Sequence, residues 1–113
     1  MSKESFDTIM AWQAETFPDA TLEGQLSKFE DELQEFMVDQ TLEEYADLTI
    51  VACGIMRFDF QKGFDALYTA FLYAGVEEWT TSEMWEAVEK KMEKNRARKW
   101  TKLNGKYQHK EEQ

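Results

Sequence analysis

Residues 42–60 read LEEYADLTIVACGIMRFDF, and past the first few positions they offer water almost no polar face. Drawn as a helix, the segment is apolar nearly all round, from Tyr45 and Ala46 through Ile50, Val51 and Cys53 to Met56 and Phe58. Such a helix has to be central, with other elements wrapped about it. Thr41, with Glu44 three residues on, has the pattern of a capping box at its start. The chain has 113 residues. A domain of that size hides only about 60–70% of its unfolded surface, so a second copy is expected to help cover the central helix.

The rest of the sequence supplies wrapping helices. The first is expected over about Ser5–Thr16, with Phe6, Ile9, Met10 and Gln13 on one face and Phe17-Pro18 ending it. The second is expected over about Leu22–Val38, capped by Thr21. Its stripe of Leu22, Leu26, Phe29, Leu33, Phe36 and Met37 recurs at near-helical spacing. A fourth helix is expected after Gly63, with Phe64, Leu67, Tyr68, Phe71 and Leu72 on one stripe and Gly75 as its C-terminal cap. The fifth starts from the capping pair Thr80 and Glu83 and is drawn to about Trp100, leaving Asn104-Gly105 as a turn in the tail. No segment reads as a sheet. The expectation is an all-α, compact bundle of about five helices, one domain over residues 1–113, completed by oligomerisation.

Composition limits the function classes. Four Trp, eight Phe and four Tyr are too many for a disordered chain. No apolar run is long enough to span a membrane, and MSKESFDTIM lacks a signal-peptide core, so a cytoplasmic protein is expected. The single cysteine, Cys53, allows no internal disulfide and reads as a small buried hydrophobe. Net charge is −10. Residues 90–113 carry nine Lys or Arg against three Glu, a local +6, which leaves −16 on residues 1–89. An acidic body argues against binding a nucleic-acid backbone. It permits a local site where acids hold a cation and the basic end meets a phosphate.

The acids are patterned. On the second helix Glu32 borders the apolar stripe, Glu35 lies one turn along the same flank, and Asp31 points away. On the third, Glu44 and Asp47 are again three apart, and Asp47 falls within a packed face. An ionised carboxylate there needs a partner. Few cations precede residue 90, so the acids of the second helix are the expected neighbours. Four carboxylates on two helices repel one another unless a cation sits among them. An all-oxygen set selects Mg²⁺, with Mn²⁺ as the alternative. A Glu-x-x-His di-iron site is excluded, because the only histidine is His109 in the tail. On the fifth helix Lys91, Asn95 and Arg98 form one stripe that suits a phosphate-bearing ligand. Trp12 and Trp100 have the shape to stack on a base, although aromatics in a small helical domain mostly fill the core. His109 either reaches a ligand or belongs to a solvated tail.

DELQEF (Asp31 to Phe36), EEYADL (Glu43 to Leu48) and KMEKNRARKW (Lys91 to Trp100), in that order, resemble the MazG-like all-α nucleoside triphosphate pyrophosphohydrolases. The tail NGKYQH is similar to the small phage and bacterial branch described as dATP/dGTP diphosphohydrolases. The resemblance runs from about Trp12 to His109. It implies cleavage of a nucleoside triphosphate to the monophosphate and pyrophosphate, in a homodimer or homotetramer. Residue by residue, it implies Glu32, Glu35, Glu44 and Asp47 as Mg²⁺ ligands and Lys91, Asn95 and Arg98 as nucleotide contacts. Glu35 and Asp31 are both open as the base, and Trp12 and His109 are further substrate candidates. Asp31 stands where the family pattern has Glu, and the link from Phe36 to Glu43 is short, so base specificity does not carry over. The competing class is a non-catalytic acidic module, antitoxin-like or mimicking DNA.

Overall fold

A computed structural model of the chain describes residues 3–103 and 106–110, and for 101–103 and 106–110 it describes the backbone alone. Five α-helices follow in order: α1 (Phe6–Thr16), α2 (Leu22–Val38), α3 (Leu42–Met56), α4 (Phe60–Ala74) and α5 (Thr81–Ala97). Each begins where a side-chain oxygen takes up a free backbone N–H. Ser5 and Thr8 form a reciprocal box at α1, and Thr80 and Glu83 do so at α5. Thr21, Thr41 and Asp59 cap α2, α3 and α4 by accepting from the N–H groups of Gly24, Glu44 and Lys62.

The central place expected for α3 is observed. Tyr45, Ala46 and every residue from Leu48 to Met56 are buried, and α1, α2, α4 and α5 all pack on α3. One side of α3 joins Phe29 and Phe36 of α2 and Ala66 and Ala70 of α4 through Leu48, Val51 and Ile55. The other joins Ile9 of α1 and Val88 and Met92 of α5 through Ala46, Ile50 and Cys53. Burial pushes the Cys53 thiol up to about 12, so it is an inert core group. The chain itself therefore wraps α3, which corrects the expectation that a second copy is needed to cover it.

Three boundaries differ from the sequence reading. First, α3 stops at Met56, short of Phe60, because Asp59 turns the chain extended and starts a new helix. Second, α4 thus begins before Gly63, and its faces are inverted from the apolar pattern. Gly63, Ala66, Ala70 and Ala74 face inward, while Phe60, Phe64, Tyr68, Phe71 and Leu72 are half or more exposed. Close approach explains this: a Cβ on Gly63 would collide with the backbone of Met56. Only small residues fit between helices pressed that near, so the aromatics are turned outward. Gly75 does cap α4, but in a right-handed conformation. The chain then runs through a 3₁₀ turn, and the left-handed residue is Glu78.

Third, α5 ends at Ala97, and a sheet follows where none was expected. β1 (Lys99–Leu103) and β2 (Lys106–Lys110) pair antiparallel, Lys99 opposite Lys110 and Leu103 opposite Lys106. Their charged, short runs hide the strand pattern. Asn104-Gly105, expected as a turn, falls between the strands and outside the described residues. No helix among the described residues is long and apolar enough to cross a membrane.

Candidate metal centre

The acid pairs converge where α2 runs beside the first turns of α3. One carboxylate oxygen each of Glu32, Glu35 and Glu44 lies within 4.8 Å of the other two. The local sequence fixes this. The short Asp39-Gln40 link returns the chain at once, and Thr41 starts α3 by accepting the Glu44 N–H at 3.2 Å. Phe36 and Leu48, both fully buried, hold the two helices together just beyond the acids. Glu35 is exposed at the outer edge, while Glu32 and Glu44 are half-buried. Asp31, Gln34, Asp39 and Glu44 border an open concavity on that outer side, with Glu35 among them.

The electrostatics of the cluster are unfavourable for three anions alone. Burial is the main cause that pushes the Glu32 carboxyl up to about 8, with the charges of Asp47 and Glu35 adding to it. Lys28 offsets only part of this. Glu44 is raised in the same way, first by burial and then by Asp47 and Glu35. Among the described residues, Glu32 Oε2 and Glu44 Oε2 are the buried side-chain oxygens without a hydrogen-bond partner. Two orphaned carboxyl oxygens in a cluster with a third carboxylate are an expensive arrangement unless a cation satisfies them.

Asp47 is near enough to Glu32 and Glu44 for its charge to act on both, as expected, but it stands outside the three-glutamate group and has a cation beside it that the sequence reading did not supply. Lys91 reaches across from α5 and puts its Nζ 3.4 Å from Asp47 Oδ1 and 3.0 Å from Glu43 Oε1. Burial still raises Asp47, with Lys91 pulling the other way. Lys91 is only 8% exposed, and its ammonium is paired with these two acids. Lys94 Nζ lies 3.8 Å from the same Glu43 oxygen. The Lys91 hydrogen bond first, then the charges of Lys91, Lys94 and Arg98, hold Glu43 below the usual carboxylate range. Asp47 thus stands between an acidic cluster and a row of cations.

Asn95 is buried one turn beyond Lys91, as the stripe predicts. Arg98 does not share that stripe as a helical residue: it is the extended residue that ends α5. Its guanidinium folds back so that Nη1 donates to Asn95 Oδ1 at 3.4 Å. The Trp100 Nε1–H donates to the Asn95 carbonyl at 3.0 Å. Trp12 meets Phe17 and Trp100 edge to face and packs on the core side that α1 shares with α5. The His109 backbone pairs with Trp100, and its side chain lies outside the described residues. Sequence reasoning missed Glu43 and Lys94. The signals were the Glu43-Glu44 doublet, which puts one acid on each flank of α3, and the i, i+3 spacing of Lys91 and Lys94.

The donor set is all oxygen, three carboxylates with a fourth nearby, which fits a hard divalent cation. No protein-family model, curated protein or solved structure matches the chain.

The cluster generates a pH prediction. Glu32, Glu44 and Asp47 are raised above their unfolded values of about 4. Their stabilising contribution is therefore complete below about pH 4 and is lost as pH rises through the folded values, up to about 8 for Glu32. In EDTA the melting temperature should fall from about pH 5 to about pH 9, while Mg²⁺ at 100 times its Kd should restore about 2.7 kcal/mol at the upper end. Glu32→Gln should melt at or above the wild type in EDTA at high pH and gain much less from Mg²⁺. A wild-type melting temperature in EDTA that climbs over this range would contradict the repelling cluster.

Proposed function

We propose that the protein is a Mg²⁺-dependent nucleoside triphosphate pyrophosphohydrolase that releases pyrophosphate and leaves the nucleoside monophosphate. The observation that carries this reading is the pair of orphaned oxygens, Glu32 Oε2 and Glu44 Oε2, in a cluster that Glu35 completes. The flank of Lys91, Lys94 and Arg98 next to that cluster supports a ligand that brings both a cation and phosphates. The motif order shared with the MazG-like pyrophosphohydrolases supports the same reaction, and a cytoplasmic nucleotide pool supplies its substrate.

Glu32, Glu35 and Glu44 would hold Mg²⁺, with Asp47 as fourth ligand. Bound there, Mg²⁺ would neutralise phosphate charge and would lower the pKa of a water. Lys91 and Arg98 bind phosphate oxygens and stabilise the charge that moves onto them as the α–β bridge breaks. Asn95, which holds Arg98 and Trp100 through its side-chain and backbone oxygens, positions that end of the site. Glu35 and Asp31 border the outer concavity, and either is reached by a water from solvent, so they are the candidates to accept its proton. Oxygen from that water joins the α phosphorus, and the α–β bridging oxygen leaves with pyrophosphate.

A homodimer, or a tetramer built from it, belongs to the same reading, and its support is now α4 rather than α3. Phe60, Phe64, Tyr68, Phe71 and Leu72 form one uncharged face, with Phe60 and Phe64 stacked at 6.2 Å. Their exposed area is on the order of 600 Å², near the roughly 800 Å² one partner gives a standard interface. An apolar groove of about 380 Å³ lies beside it, between α4 and Trp85 of α5. In a chain of net charge −10, two copies meet with least repulsion at such an uncharged face.

Two measurements check these points. Phosphorus NMR over a panel of deoxynucleoside and nucleoside triphosphates with Mg²⁺ should show pyrophosphate and monophosphate from at least one of them. Glu44→Gln should slow that turnover by about 100-fold or more. Orthophosphate as first product overturns the reaction, and no turnover at all favours the acidic interaction module. Light scattering at micromolar concentration should report a dimer or tetramer, and Phe64→Glu should shift it toward the 13.4 kDa monomer. A wild-type monomer would refute the interface.

A further inference from the structure

Glu43 has an unusual position for an exposed acid. Its side chain is 58% exposed, yet its Oε1 takes both the buried Lys91 ammonium at 3.0 Å and Lys94 at 3.8 Å. Those cations gather at the edge of a cleft of about 450 Å³ between the start of α3 and the middle of α5. Lys90, Lys91 and Lys94 supply its cations, and Glu43, Glu83 and Glu86 are its acids. Lys90 is already occupied by Glu86 at 3.2 Å, one helical turn away. Glu43 reaches the other two lysines from a different helix. A carboxylate at the meeting point of two ammonium groups occupies the place that an oxyanion of a ligand would take. Its own exposure leaves it free to turn into water when something replaces it.

We propose that this cleft is a polyphosphate-binding site, with Lys91 and Lys94 as its phosphate contacts and Glu43 as a built-in anion that occupies it until the ligand arrives. This rests on the reading that the neighbouring acids and cations handle a nucleotide's phosphates, and it adds Lys94 and Glu43 to them. Glu43 acts as a competitor for two cations, so it sets affinity without touching the reacting atoms. Exchange of one anion for another at the same lysines keeps the buried Lys91 paired throughout, which avoids stranding a charge in the core. The site-bound carboxylate lowers apparent ligand affinity by the fraction of time it holds the lysines. It also screens the cleft against single weak anions, because a ligand has to replace Glu43 at both lysines to gain the full attraction.

The test is calorimetric binding of sodium tripolyphosphate to the intact protein in EDTA at about 0.15 M salt, so that neither metal nor hydrolysis takes part and long-range charge effects are screened. Glu43→Gln keeps the size of the side chain and removes its charge. It should bind tripolyphosphate about tenfold tighter than the wild type, as follows if Glu43 holds the lysines about nine-tenths of the time. Lys94→Gln should bind more weakly. Glu86→Gln removes an equal charge from the same cleft without releasing Lys91 or Lys94. A unit charge roughly 8 Å away in water changes affinity about two- to threefold for each charge on the ligand, and salt at about 0.15 M screens this to about fivefold or less for tripolyphosphate, which is the effect expected of it. Three results overturn the proposal: Glu43→Gln binding no tighter than the wild type, Glu86→Gln tightening binding as much as Glu43→Gln does, or no binding by any of these proteins. Loss of melting temperature in Glu43→Gln with unchanged anion affinity is the first of these, and identifies a purely structural ion pair. The outcome is separable from the nucleotide panel. Pyrophosphate release with an unresponsive Glu43 refutes this proposal alone, and tighter binding by Glu43→Gln without turnover refutes the hydrolysis alone.

Discussion

The fold depends on α3 having no side that it can give to water. Burial of Leu48, Ile50, Val51, Cys53 and Ile55 requires helices on every flank, and α1, α2, α4 and α5 fill those places. Once they do, the first turns of α3 are held against α2 on one side and α5 on the other. Glu44 then cannot swing away from Glu32 and Glu35, and Asp47 cannot escape Lys91. Hydrophobic packing, a large and non-directional term, thereby imposes an electrostatic arrangement that would not form by itself. An unpaired buried anion costs several kcal/mol, and the packing is what holds it in place.

The two halves of the site solve this differently. Asp47 and Glu43 are answered from within the chain, by the buried Lys91. Glu32 and Glu44 keep oxygens that no described group answers. That asymmetry gives the site its direction. One end lacks a cation, the other presents cations, and Asp47 lies between them. A magnesium nucleotide has the same polarity, with the metal on one side of its phosphates and free oxygens on the other. The proposed magnesium-nucleotide reading rests on this polarity and on the motif resemblance, and both draw on the same residues.

Much of this was legible from residue spacing. The apolar circumference of α3, the stripe of α2 and the caps Thr21, Thr41 and Thr80 are local signals, and each is observed. The pairing of Glu32 and Glu35 with Glu44 followed from two i, i+3 patterns on helices joined by a short link. What stayed hidden depends on contacts between distant segments. The break between α3 and α4 rests on one cap, Asp59, inside an apolar run that continues across it. The faces of α4 follow from the close approach of Gly63 to Met56, which hydrophobicity alone reads backwards. The Lys91–Asp47 contact joins α3 to α5 across 44 positions of sequence, and the Lys91–Glu43 bond does so across 48. The hairpin after Ala97 is built from residues too charged to alternate visibly.

The central claim is that Glu32, Glu35 and Glu44 hold a divalent cation, and a crystal soaked in Mn²⁺ tests it most directly. The account predicts an anomalous peak among these three side chains, about 2.1 Å from at least one oxygen of each, a distance proper to a small hard cation. It also predicts that Glu32 Oε2 and Glu44 Oε2, the two unanswered oxygens, are among the ligands. A peak elsewhere on the acidic surface, or none with Mn²⁺ in excess, would contradict it.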